Sequence, residues 1–207
     1  GAVAFFEKIS PALEQVDSSS GSIGSAVNRA IETLVPIIAK ADVDARVRHR
    51  WLERLWDAVE DDGMTYIETL GDHWGELCAT TEISSAWADR FLPLVELAWS
   101  PKESGHGYCK ATSACLSALL AAGRHDELLS LLTKARINWW HDRRWGVKAL
   151  AAMGRKAEAI RYAEDTHGIN DPRWQIAQAC EAILLSSGML DEAYDRYAID
   201  ANQGTTN

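Results

Sequence analysis

Apolar residues recur at spacings of three and four along nearly the whole chain, the period of a helix with one buried face. "AVAFFEKISPALEQV" places Val3, Phe6, Ile9, Leu13 and Val16 on one stripe, with Pro11 set to kink or break it. "DSSSGSIGS" follows as a Ser/Gly-rich linker whose last serine is suited to cap the next helix. That helix, "AVNRAIETLVPIIAK", carries Val27, Ile31, Leu34 and Ile38 on one face, with Pro36 in its later turns. In "DVDARVRHRWLERLWDAVEDDG", Asp42 and Asp44 sit at the positive end of the helix dipole. Val47, Trp51, Leu55 and Val59 form the expected buried stripe. "MTYIETLGDHWGELC", "EISSAWADRFLPLVELAW" and a loop, "SPKESGHG", come next. The pattern predicts an all-α fold of about eleven helices, a number consistent with ordinary helix lengths, and no strand.

The second half holds a repeating frame. "LLAAGRHDELLSLL", "LAAMGRKAEAIRYA" and "LLSSGMLDEAYDRYA" align on Gly123, Gly154 and Gly188, which lie 31 and 34 residues apart. Five positions after each glycine stands a small or apolar residue: Leu128, Ala159 and Ala193. Each glycine is placed to end one helix in the left-handed backbone that glycine adopts cheaply, so that an amphipathic helix can turn back on it. Asp171-Pro172 punctuates the chain before the third unit.

Over residues 107–201 this frame resembles the tetratricopeptide (TPR) class of helix-turn-helix repeats, whose period is about 34 residues. The match is degenerate. The aromatic of the first helix falls at Thr112, Arg143 and Ala177, and that of the second survives only as Tyr197, with Leu132 and Ala163 in its place. The resemblance implies antiparallel hairpins stacked as a right-handed α-α superhelix. Residues 1–106 are then a divergent helical part of a single domain, and 107–201 three hairpins. In the middle hairpin it implies packing at Gly146, Val147, Leu150 and Met153, and a concave surface at His141, Arg144, Lys148, Ala151 and Ala152.

Charge gives that surface a character. The chain is acidic, with a formal net charge of −9, yet eight Lys/Arg face two acids between Lys134 and Arg161. Within that span lies "INWWHDRRWGVKAL". Arg144 and Lys148 are one turn apart, and with His141 they make a positive stripe suited to a carboxylate or phosphate. Of Trp139, Trp140 and Trp145, at least two are expected to pack against neighbouring hairpins, with Trp145 as the aromatic anchor beside the stripe. The bland alternative is a solvated face next to core tryptophans. Aromatic and basic residues together also suit nucleic acid, but the acidic whole would make that binding weak and salt-sensitive.

Other candidates are thinner. His106, Cys109, Cys115 and His125 superficially suggest zinc, but the cysteines are six apart on a presumed helix and face different ways. His73 and Glu76 have one i,i+3 spacing where a di-metal bundle needs two. The acidic run Glu60–Asp62 reads as a solvated turn at a helix end. No GxSxG, P-loop, GxGxxG or HExxH occurs. The four cysteines form no CxxC pair, so reduced thiols in a cytoplasmic protein are expected. No apolar run is long enough to span a membrane. The terminal sequences suggest a fragment of a longer protein. The expectation is therefore a non-catalytic scaffold without cofactor or metal, holding a protein partner through His141, Arg144, Lys148 and Trp145. A homodimer through an uncapped terminal hairpin is left open. The alternatives are an enzyme or metal-binding protein with a site between helices, and a nucleic-acid-binding module using the basic span.

Overall fold

The computed structural model describes residues 1–13, 22–101, 107–166 and 172–203. Among them are eleven α-helices, one short 3-10 helix and no strand. Among the described residues no helix is long and apolar enough to cross a membrane. The chain divides into two compact units, Gly1–Arg124 and His125–Asn207.

The first unit contains α1 (Ala2–Leu13), α2 (Ser22–Ala39), α3 (Ala45–Asp61), the 3-10 turn Glu68–His73, α4 (Trp74–Cys78), α5 (Thr81–Ala98) and α6 (Ala111–Ala121). Pro11 and Pro36 both lie inside their helices rather than ending them. Most of the expected linker and the end of the first stripe, including Val16, lie outside the described residues. Ser25, expected as a cap, is inside α2, because that helix already begins at Ser22.

In α3, Asp44 caps the helix by accepting from the Val47 N–H at 2.8 Å. The buried stripe is rotated from the expected one. Leu52, Leu55, Trp56 and Val59 are buried, with Arg48 in line, while Val47 and Trp51 are half-buried at its edge. A charged residue occupying a core position displaced the apolar pattern. At the centre of the unit, Trp56, Trp74, Trp87 and Phe91 form an aromatic cluster with centroids 4.4–5.7 Å apart, mostly edge-to-face or tilted.

Buried Arg48 accounts for its own position. Its guanidinium donates to the carbonyls of Ile38, Ala39 (3.1 Å) and Ala41 (2.8 Å) at the end of α2, and reaches Leu77 O at 3.4 Å. Lys110 does the same for α3: its Nζ donates to Val59 O, Glu60 O and Asp62 O at 3.1, 2.9 and 2.8 Å. In the acidic run at the end of α3, Glu60 and Asp61 are exposed as a solvated turn requires, and only Asp62 departs from that reading. Asp62 is buried, and its carboxylate accepts from the Ser10 hydroxyl and from Ile67 N–H at 2.7 Å. These bonds tie α1 and the following loop to the end of α3.

"GDHWG" has a packing role as well. A Cβ at Gly75 would stand 2.5 Å from both Ala121 Cβ and Ser117 O, and one at Gly71 3.1 Å from Ala114 N. The two glycines let this segment lie directly on the small-residue face of α6. Ser117 completes the seam, its Oγ accepting from Gly75 N–H (3.0 Å) and donating to Asp72 O (3.1 Å).

The second unit contains α7 (His125–Leu132), α8 (Trp140–Ala152), α9 (Lys156–Glu164), α10 (Arg173–Leu185) and α11 (Leu190–Asn202). The three expected glycines all stand just past helix ends with φ of 72°, 78° and 75°. Each closes its helix by the same pair of bonds. Arg124, Arg155 and Met189 N–H donate to Leu119, Leu150 and Leu184 O, while each glycine N–H donates to Leu120, Ala151 or Leu185 O. This is the Schellman motif three times over. Leu128, Ala159 and Ala193 are buried where the frame required, and α8 packs on α9 as α10 does on α11. The first expected hairpin, α6 with α7, spans the boundary between the units. Asp171 lies outside the described residues.

Two glycine substitutions separate these roles. Gly75→Ala forces backbone apart and should destabilise the protein by about 1–3 kcal/mol. Gly154→Ala meets no atom within 4 Å and should cost only its backbone strain, about 1 kcal/mol. Urea unfolding of both variants checks the order. Replacing Arg48 by Met leaves several carbonyls without donors and should cost about 3 kcal/mol or more by the same measurement.

Candidate functional site

The basic span centres on α8. Trp140, Trp145, Gly146, Val147, Ala149 and Leu150 are buried, so most of the helix circumference is inside the protein. Gly146 sets how closely its neighbours approach, since a Cβ there would lie 2.9 Å from Leu132 of α7 and 2.8 Å from Tyr162 of α9. Met153, expected in the packing set, is half-buried at the helix end.

Arg143 has a structural partner set. Its Nε donates to Thr166 Oγ1 at 2.7 Å, its Nη2 to Tyr162 O at 3.0 Å, and its Cζ lies 3.8 Å from the Tyr162 ring centroid. It fastens α8 to the end of α9.

The solvent-facing strip that remains carries His141 and Lys148, both exposed, with Arg144 and Ala151 half-buried and Ala152 exposed. Arg144 Nε donates to His141 O at 2.9 Å, which holds the guanidinium along the helix. Lys148 Nζ lies 4.4 Å and Arg144 Cζ 5.5 Å from the Trp145 ring. Trp145 is 3% exposed and underlies the two cations, while the exposed indole is Trp139, at 59%. Two of the three tryptophans are thus core, as expected. Two cations one turn apart over an indole can engage a carboxylate or phosphate with little further ordering.

His73 Nδ1 and Glu76 Oε2 lie 3.6 Å apart as a pair on the surface. Cys115 is buried, Cys109 and His125 are half-buried, and His106 lies outside the described residues. Among the described residues no group of three His, Cys, Asp or Glu could hold a metal ion. A cavity of about 540 Å³ is lined by Asp42, Arg48, His49, Cys78, Thr80 and Glu82 among others, but Arg48 there is committed to carbonyls. A second, of about 340 Å³, lies between α9 and the α10–α11 pair, where Arg196 bridges Glu192 and Glu164 and Tyr197 donates to Glu164.

Sequence reasoning missed Arg48, Asp62, Lys110 and Arg143 as structural polar residues, because their partners lie on other elements, from a few residues to about fifty along the chain. The chain matches no family model, no curated protein and no solved structure.

The thiols give a direct check on this geometry. Burial pushes Cys78 up to about 12 and Cys180 up to about 11, so their thiolate fractions near neutrality are very small. Iodoacetamide at pH 8 should leave both unmodified in the native protein and label both once urea is added. Mass spectrometry of the peptides reads this out, and native labelling of Cys78 would contradict its placement.

Proposed function

We propose that the chain is a non-catalytic, TPR-like helical scaffold that holds an acidic segment of a partner protein against the exposed strip of α8. His141, Arg144 and Lys148 make the charged contact, and Trp145 supports the cations from below. The observation that carries this reading is the contrast around α8. Six of its thirteen residues are buried, and the strip left to solvent carries His141, Arg144 and Lys148 in a protein of net charge −9. Packing does not require that composition, and a carboxylate-bearing chain satisfies it. Three identical glycine turns at a spacing close to the repeat period favour the TPR-like frame, in which neighbouring hairpins present one continuous surface.

The test uses an array of Asp/Glu-rich peptides, with bound members followed by fluorescence anisotropy. Arg144→Glu with Lys148→Glu should weaken acidic peptides by about tenfold or more, with binding falling as salt rises. Asp142, on the same helix, serves as control: Asp142→Asn should not weaken it. An unchanged set of bound peptides in the double variant removes the strip from consideration.

A further inference from the structure

The repeat frame links each position of α8–α9 to the one 34 residues later in α10–α11, as Gly154 is linked to Gly188. Trp140 corresponds to Trp174, Ala151 to Leu185, Lys156 to Leu190 and Ile160 to Tyr194. In the first hairpin, Trp140 and Ile160 are each 6% exposed. They belong, with Ala151 packed against them, to the core that α8 and α9 share with α10 and α11. In the second hairpin the same positions are open: Trp174 is 37% exposed, Leu185 45%, Leu190 65% and Tyr194 75%.

These residues share one flank. Trp174 and Leu185 are eleven apart on α10, three turns, and Leu190 and Tyr194 are one turn apart on α11. A position that one hairpin uses to receive the next is filled in the second hairpin by large apolar side chains that stay 37–75% exposed.

Charge specifies what fits there. Glu181 lies on α10 between Trp174 and Leu185, and exposed Asp191 and Asp195 run beside Leu190 and Tyr194. The single cation of α11, Arg196, is engaged with Glu192 and Glu164 at the groove toward α9. The single cation of α10, Arg173, stands at its first residue. A second copy of this hairpin would bring acid against acid.

We infer that the α10–α11 flank is a docking surface for a basic amphipathic helix of a partner, one with an apolar stripe bordered by lysine and arginine. The apolar stripe takes the place that α10–α11 takes on α8–α9, and the basic borders meet Asp191, Asp195 and Glu181. This surface is separate from the α8 strip and selects the opposite charge.

The probe is a labelled helical peptide of ~18 residues with leucines at i, i+3, i+4 and i+7 and lysines beside them. Two controls accompany it: the same stripe bordered by glutamate, and a scramble of the lysine peptide. Anisotropy should show saturable binding of the lysine peptide and none of its scramble, while any binding of the glutamate peptide should vanish with Arg144→Ala and Lys148→Ala, which leave the lysine peptide's binding unchanged. Leu190→Glu with Tyr194→Glu should weaken it by about tenfold or more, and Asp191→Lys with Asp195→Lys should shift preference to the glutamate peptide. All four positions are exposed, and circular dichroism confirms that the variants keep their helices. Equal binding of the scramble, or unchanged binding by the Leu190/Tyr194 variant, overturns the inference. So does a protein that sediments as a dimer and becomes monomeric in that variant, since a second copy would then own the face. Because the lysine peptide carries no acid for the α8 strip to hold, failure of the α8 proposal leaves its binding here intact.

Discussion

Every α-helix ends with backbone carbonyls that its own turns cannot satisfy, and a chain of many short helices meets that demand repeatedly. Here it is met in two ways. Gly123, Gly154 and Gly188 turn the backbone left-handed, so that the following amides fold back onto the last carbonyls. Elsewhere the donors are imported: Arg48 onto α2, Lys110 onto α3, Arg143 onto α9, and Lys156 onto Ser186 O beyond α10. Of the helices, only α9 carries a basic residue in its own last turn, Arg161. Cations drawn from other elements therefore decide which helix ends can be buried, and with them which helices can be neighbours.

The balance between the two differs between the units, although Gly123 lies in the first and Arg143 and Lys156 act within the second. In His125–Asn207 the turns are local and repeated, which gives successive hairpins the same internal geometry. In Gly1–Arg124 the connections are particular: a buried arginine, a buried aspartate held by Ser10 and Ile67, and a glycine seam against α6. Buried polar groups of this kind are costly unless every partner is present, so they specify one arrangement of helices over its competitors. The aromatic cluster of Trp56, Trp74, Trp87 and Phe91 supplies the apolar counterpart.

What could be read from the sequence follows this division. The glycine ends were legible because a Schellman turn is encoded within six residues, and the exposure of His141 and Lys148 was what the resemblance to the repeat frame implied. The stripe of α3 was misplaced because periodicity counts apolar residues, and Arg48 sits in the core as a charged one. Asp62 looked solvated because Ser10 and Lys110 are about fifty residues away in either direction. The glycines of "GDHWG" drew attention only for the histidine between them, since close helix contact leaves no mark in one chain segment alone. At the candidate site, the resemblance to the repeat frame implied the stripe but not the depth of Trp145, which the packing of α7 and α9 around α8 determines.

Lys110 carries one more consequence. The end of α3 emerges from the ribosome about fifty residues before the ammonium group that completes it, and α4 appears before the α6 surface on which its glycines rest. Contacts so distant along the chain carry the entropy of closing a long loop before they return any stability. The first unit therefore cannot consolidate helix by helix during synthesis. It must wait, with α3 unfinished and its tryptophans incompletely covered, until residue 121 has cleared the exit tunnel, and in that interval apolar surface that will later be buried is open to aggregation.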